Sequence, residues 1–434
     1  MPPPRRSMGA GKIILLILIA VGIMLPIIGS LGPLAVSQFQ QALKEARQKR
    51  AQPLPSLRPP PPLSPEQHKA LLQFGQELAD ALTAKDSAAV TAMLDSEGMA
   101  TRVFEKLSDL PDAAAVRKGF IKGVSKRDGS WMSTLMEGEV VALRTRERQD
   151  FPAVLLRMKT DEGAVSYVDV MVRPDRGGFK AVDMFNYIFA TTATEEARTI
   201  LAVLTAKSGV SSLSELLGIP QVKMDEKVAA RLEAITKAQQ TGDAQGILRI
   251  CDSLPAELKT QRTFFIIRLQ ALMALSSTGS AKIDEDYKQA LRAAPAILGR
   301  DSTTDLLMVD LMFMENDFQG ADDCLQRMET VVGGDPYLKF LRGNARLQMK
   351  DYEGALALAN EAEKEDPEMT EAIDLRIGIH LERKDHKAVV GELRALKKNF
   401  GTALDRSTLT EDVYKDFLAS PEFATWEKEL AAAP

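Results

Sequence analysis

The chain is 434 residues long, 45% hydrophobic and 26% charged, with aromatics at only 6%. That length suits two or three domains, and a composition rich in Ala, Leu and Met favours packed helices over a β-sandwich. The net charge of −5 is unevenly spread, since residues 1–58 hold eight Lys or Arg and one Glu while residues 221–434 hold 28 basic and 37 acidic side chains. An acidic C-terminal half argues against nucleic acid as a partner.

Behind a short tail at 1–12, residues 13–36 carry no charge, and Ile13 to Leu25 are almost purely aliphatic. A helix through this stretch spans about 36 Å, enough for a hydrocarbon core of about 30 Å, so it is expected to be an uncleaved transmembrane anchor. Pro26 is expected to kink it, and Ser30-Leu31-Gly32 makes a poor signal-peptidase site. Basic residues flank the segment on both sides: Arg5, Arg6 and Lys12 before it, Lys44, Arg47, Lys49 and Arg50 after it. The positive-inside rule is therefore nearly balanced, and the short N-terminal tail tips the expectation toward a single-pass protein whose remainder is extracytoplasmic.

The linker at 37–65 turns from basic to proline-rich, with seven prolines between Pro53 and Pro65. Such a run favours polyproline II and acts as a spacer reaching about 40 Å. Ser64-Pro65-Glu66-Gln67 then reads as a helix start, with Ser at the N-cap and Gln at the third helical position. Apolar residues at helical spacing follow (Leu71, Leu72, Leu78, Leu82), and shorter helical patterns run through Val90 to Leu94, Phe104 to Leu107 and Val116 to Val124. After Gly129 the period changes to two over 139–147, 153–159, 164–173 and 179–188, with turn residues at Asp161-Glu162-Gly163 and Pro174 to Gly178.

Helices followed by a meander make residues 66–200 an α+β domain. The order of elements and the closing strand Gly178 to Met184 resemble the cone-shaped fold of nuclear transport factor two and its relatives. That resemblance implies a domain that binds a small ligand, dimerises, or performs isomerase- or dehydratase-type acid/base chemistry inside the cone. The polar residues that would point into it are Tyr167, Asp169, Asp183 and Tyr187. An ordinary solvated sheet face explains the same pattern, and His68 has no evident partner, so no catalytic residue is assigned.

The C-terminal half carries an internal period. Asp317-Phe318-Gln319-Gly320-Ala321 recurs as Asp351-Tyr352-Glu353-Gly354-Ala355, and again as Asp385-His386-Lys387-Ala388-Val389, a constant period of 34. This resembles the tetratricopeptide repeat, over about 221–403. The clearest copy, Pro336 to Met369, has Gly343, Tyr352, Ala355, Ala362 and Pro367 at the family's packing positions, but Arg346 where an aromatic is usual and Ala359 at position 24. Gly242-Asp243-Ala244 and Asp286 to Ala290 suggest two degenerate copies, and residues 404–434 read as capping helices around Tyr414, Phe417, Leu418, Phe423 and Trp426.

The fold class expected is therefore mainly α: an N-terminal transmembrane helix, an α+β cone-like domain and a C-terminal α-solenoid. The resemblance implies that first helices line a groove, here Leu306, Asp310, Phe313, Tyr337, Phe340, Asn344 and Leu347. Phe340 stands where carboxylate-clamping members carry Lys, so the groove suits an extended peptide or partner helix. Inward packing of the same residues is the plainer alternative. Cys251 and Cys324 lie far apart in the chain and read as core thiols, and His68, His380 and His386 are too scattered for a metal site. There is no phosphate loop, no HExxH and no GxSxG, so no cofactor or metal is expected. The expectation is a membrane-anchored adaptor that binds a protein or peptide and could self-associate through its middle domain, with a cone-centred ligand-binding protein or enzyme as the rival.

Overall fold

The computed structural model describes residues 57–105, 107, 113–125, 138–160, 163–188, 190–198, 226–276, 279–299 and 302–432. The apolar run 13–36 and the basic stretch after it lie outside the described residues, and among the described residues no helix is long and apolar enough to cross a membrane. The chain forms two compact units, with the division between Thr304 and Asp305.

The first unit begins with four helices: α1 (Pro65–Thr83), α2 (Ser87–Met93), α3 (Ser96–Phe104) and α4 (Ala113–Val124). The expected capping box forms at α1, Ser64 accepting from the Gln67 amide while the Gln67 side chain accepts from the Ser64 amide. A five-stranded antiparallel meander follows in the order β1-β2-β3-β4-β5, with β1 at Glu139–Arg148, β2 at Phe151–Lys159, β3 at Val165–Asp175, β4 at Gly178–Asn186 and β5 at Thr191–Thr192. Two-residue turns close the β1–β2 and β3–β4 hairpins. Gln149 and Asp150 (φ +48° and +62°) and Arg176 and Gly177 (φ +39° and +92°) both adopt the left-handed pair that matches strand twist.

One sheet face carries Val154, Leu156, Met158, Val168, Val170 and Met184, which pack with Leu78, Val90, Val103 and Phe120 of the four helices. Helix α1 sits so close that a Cβ on Gly75 would lie 2.4 Å from Val154 Cγ2. His68, expected without a partner, has one: its Nδ1 lies 3.1 Å from Thr145 Oγ1 on β1. The same unit continues through α5 (Glu226–Gln240), α6 (Ala244–Ser253), α7 (Ala256–Lys259), α8 (Arg262–Ser276) and α9 (Ala281–Leu298). Helix α8 is apolar nearly all round, with Phe264 to Ile267 and Leu269 to Met273 largely buried between α6 and α9. The repeat-like stretch Asp286 to Ala290 does not mark a turn. It lies inside α9, whose N-cap is Ser280, with Tyr287 turned into the core.

The second unit stacks three antiparallel helix pairs: α10 (Ser302–Met314) with α11 (Phe318–Val332), α12 (Pro336–Gln348) with α13 (Tyr352–Glu365), and α14 (Thr370–Glu382) with α15 (His386–Phe400). The turn within each pair is the same. Asn316, Lys350 and Lys384 take positive φ (+58°, +61° and +54°), and the aspartate that follows caps the second helix. Asp317 Oδ1 accepts from the Gly320 amide (2.9 Å), Asp351 Oδ1 from Gly354 (3.0 Å) and Asp385 Oδ1 from Ala388 (3.0 Å). Each aspartate amide in turn donates to a carbonyl of the first helix. The first unit uses this turn twice more, at Lys85-Asp86 and Gly242-Asp243.

A second periodic contact locks pair to pair. Arg342 of α12 reaches back to Asp322 (2.7 Å) and Glu329 (2.7 Å) of α11, and its equivalent one repeat on, Arg376 of α14, reaches Glu363 (2.9 Å) of α13. Arg346, the departure from the usual aromatic, joins this network through Asp322 at 3.0 Å. The close approach at Gly343 is chiefly to the next pair: a Cβ there would meet Leu375 Cδ2 of α14 at 2.3 Å, with Ala355 O of α13 at 3.5 Å. The tail expected to cap this end forms a 3-10 turn (Asp412–Tyr414) and two helices, α16 (Lys415–Leu418) and α17 (Pro421–Ala432). Phe417, Phe423 and Trp426 pack on Ile373, Ile377, Val389 and Leu393, and Trp426 Nε1 donates to Leu404 O at 2.8 Å.

Removing a surface cap and removing a buried cation should differ in cost. Asp351→Ala is expected to lower unfolding free energy by about 1 kcal/mol. Arg342→Ala, which takes from Asp322 and Glu329 one of the two cations each holds (Arg346 and Lys339 remain), should lower it by about 2 kcal/mol. Urea titration of each full-length variant, followed by fluorescence of Trp426 in a Trp131→Phe background, measures both; equal losses would show that the buried network is not what joins α11 to α12.

Candidate functional site on the first helices of the pairs

Residues one repeat apart in α10, α12 and α14 occupy equivalent places on their helices, and within each helix residues spaced by four and three lie on one face. Nine side chains thus make a grid: Leu306, Asp310 and Phe313 on α10; Phe340, Asn344 and Leu347 on α12; Asp374, Gly378 and Leu381 on α14. Six of the seven groove residues expected from the sequence fall in the first two rows. Tyr337 lies one turn before Phe340, with the two rings 5.4 Å apart.

Burial is graded across the grid. Leu306, Asp310, Tyr337 and Phe340 are buried, Phe313, Asn344 and Leu347 are half-buried, and Asp374 is exposed. Four of the expected groove residues are therefore packed inside the fold, and the part that reaches the surface is the column Phe313, Leu347 and Leu381 with Asn344 beside it. Phe313 stacks edge-on against Phe318 at 5.8 Å, Leu347 lies over Gly378, and Leu381 borders the core of the capping tail. The Asn344 amide donates to Phe340 O of its own helix at 3.2 Å. The packing residues sit as their sizes demand: Ala355 and Ala362 are fully buried, Tyr352 is the first residue of α13, and Pro367 follows its end.

The sheet domain offers a second set of polar groups, placed differently from expectation. Tyr167, Asp169, Asp183 and Tyr187 do not point into the space between helices and sheet. That space is an apolar void of about 20 Å³ lined by Leu78, Leu82, Val90, Leu156, Met158 and Val168, among others, room for no more than a water. Strand alternation puts the four polar residues on the opposite face, where all are buried. Asp169 accepts from Arg146 Nε at 2.6 Å and from the Tyr187 hydroxyl at 2.8 Å, while Arg148 stacks on the Phe185 ring at 3.4 Å. Burial raises the Asp169 carboxyl against the pull of Arg146, and burial beside Asp169 pushes the Tyr187 phenol up. Asp183 takes Arg102 Nε at 2.8 Å, the Thr194 amide at 3.1 Å and the Thr194 hydroxyl, so its lone pairs are likewise occupied. Both carboxylates are thus buried and already bonded to an arginine and a hydroxyl.

Cys251 and Cys324 are free, buried thiols whose pKa is pushed up by burial, to about 12 and about 11. Among the described residues no group of three metal-ligating side chains comes together. Comparison with known proteins adds nothing to this picture: no family model, no curated protein and no solved structure matches the chain.

Sequence reading missed the third row of the grid. Asp374, Gly378 and Leu381 follow from the same count of 34, but Asp374 stands where the earlier rows have the apolar Leu306 and Phe340. It also missed Glu196, half-buried beside Asp183, Glu195 and Arg262. Burial, reinforced by Asp183 and Glu195, pushes its carboxyl up to about 8. A carboxyl raised above its unfolded value contributes stability that is complete below pH of about 4.5 and is lost as pH climbs through about 8. Wild-type protein should accordingly show a lower urea midpoint at pH 8.5 than at pH of about 6, and Glu196→Gln should flatten that difference, chiefly by raising the midpoint at the alkaline end; an unchanged profile would remove Glu196 as its source.

Proposed function

We propose that this chain is a membrane-tethered scaffold whose stacked helix pairs bind a protein or peptide partner. The observation that carries the reading is the grid: equivalent side chains at the repeat interval on three successive first helices, opening to the surface at Phe313, Asn344, Leu347 and Leu381. Equal pairs stacked on one another through periodic turns and ion pairs make a surface that is long in one direction and rigid, the kind that recognises an extended segment by repeating contacts. The tetratricopeptide-like spacing of Gly343, Ala355 and Ala362 supports assigning the pairs to that repeat type. Anchoring through residues 13–36 and a proline spacer after them would hold the scaffold off the bilayer, on the extracytoplasmic side by the reading of the short N-terminal tail.

The order of helices and meander still supports a cone-like middle domain, able to serve as a dimerisation or positioning module. Acid/base catalysis by it is disfavoured, because Asp169 and Asp183 are committed to arginines on the face away from the apolar void between helices and sheet. The acidic C-terminal half disfavours nucleic acid.

A photo-crosslinking residue placed at Asn344 in the full-length, membrane-borne protein tests the scaffold. One discrete partner should be captured there and not from Ala357 on the outer side of α13, and Leu347→Ser should reduce that capture at least several-fold without changing the circular dichroism. Equal capture at both positions, or capture indifferent to Leu347→Ser, would remove the groove from the account.

A further inference from the structure

The sheet runs in the order β1-β2-β3-β4-β5, so β1 is an edge strand bonded to β2 along one side. Every residue of β2 except Lys159 is buried, whereas β1 from Val141 to Arg148 is half-buried or exposed. Alternation fixes which of its backbone groups turn away from β2. Val140 is one, since its amide and carbonyl meet the Thr83 hydroxyl of α1 at 3.0 and 3.5 Å. Arg148 and Phe151 close a two-residue hairpin and bond each other, which turns Glu147 and Thr145 outward. Among the described residues no hydrogen bond from outside the sheet reaches the backbone of Thr145 or Glu147. A short open edge therefore remains, the template on which an extended chain pairs.

Helix α1 borders this edge. His68 meets Thr145 and Thr83 meets Val140, and Leu72 lies on that same flank of the helix, one turn after His68. Leu72 is 40% exposed, and among the described residues the one other large apolar side chain so open is Val413. An exposed leucine thus stands beside unpaired backbone, on the sheet face that Thr145 and Glu147 share.

The opposite face of β1 argues against a second copy as the occupant. Arg144, Arg146 and Arg148 alternate with Thr145 and Glu147 and share that face, where Asp169 lies beside two of them. Antiparallel self-pairing through Thr145 and Glu147 sets arginine against arginine in every register. Thr145 on Thr145 brings Arg144 to Arg146, Thr145 on Glu147 brings Arg144 to Arg148, and Glu147 on Glu147 brings Arg146 to Arg148. Like charges directly opposite are destabilising.

We propose that β1 takes an extended segment of a different protein as a sixth strand of the sheet. Alternate side chains of that segment are apolar and turn toward Leu72, and those between them, beside the arginines, are not basic. The inference is independent of the helix-pair face and adds a second contact, on the first unit.

Fluorescence anisotropy with the full-length protein in detergent tests it, using three labelled seven-residue peptides. One alternates Leu and Ser, the second is the same peptide N-methylated at every second amide, and the third alternates Leu and Lys. The Leu/Ser peptide should bind at least tenfold more tightly than either of the others. Its affinity should fall about tenfold with Glu147→Pro, which removes an outward N–H, and several-fold with Leu72→Ser, each with unchanged circular dichroism. Equal binding of the methylated peptide would show that backbone pairing is not involved and overturn the proposal. So would indifference to both substitutions, equal or tighter binding of the Leu/Lys peptide, or no binding of any. A dimer seen by light scattering and lost with Glu147→Pro would give the edge to a second copy and overturn it as well.

Discussion

A helix that stops must do something with its last carbonyls, and the next helix must do something with its first amides. In this chain one short turn solves both at once. A residue at positive φ reverses the backbone, the following aspartate amide donates back to the first helix, and the aspartate carboxylate accepts from the start of the second. Because every bond is local, the turn has one geometry wherever it occurs, at Asp86, Asp243, Asp317, Asp351 and Asp385. Three of them at equal spacing dictate three helix pairs of equal length, and equal pairs can stack in only a narrow range of ways.

Stacking is then specified by charge as much as by apolar contact. A buried ion pair is a poor source of net stability, since desolvation offsets most of the attraction, but a misplaced one is severely costly. Arg342 against Asp322 and Glu329, and Arg376 against Glu363 and Glu392, thereby penalise any slip of one pair along the next. Small residues do the complementary task, Gly343 and Ala355 admitting neighbours that a larger side chain would push away. The sheet domain uses the same device on its outer face, where Arg146 and Tyr187 satisfy Asp169, and Arg102 and Thr194 satisfy Asp183. A pattern that looked like acid/base chemistry is there a set of carboxylates each bonded to an arginine and a hydroxyl.

Local features were legible before any coordinates. The Ser64 capping box, the hairpin at Arg176-Gly177 and the three aspartate turns depend on residues within a few positions of one another, so their bonding partners are readable from spacing alone. One local match misled: Asp286 to Ala290 has the letters of the turn, but Ser280 had already started a helix, and Tyr287 is held inside it by burial. Nothing in the run of residues 281–290 discloses that, because burial is settled by segments far away in sequence.

The amino-acid sequence by itself determined the period of 34, the helix and strand assignments, and which residues share a face. Those follow from backbone hydrogen bonds closed over a few positions and from the fixed pitch of helix and strand. Only the tertiary structure decided which members of a shared face are open. Phe340 and Leu347 lie on one face of the same helix, yet one is buried and the other half-exposed, and Asp169 alternates correctly along its strand but faces arginines instead of a cavity. Exposure and electrostatic environment are sums over neighbours brought together by the whole fold, and no local rule contains them.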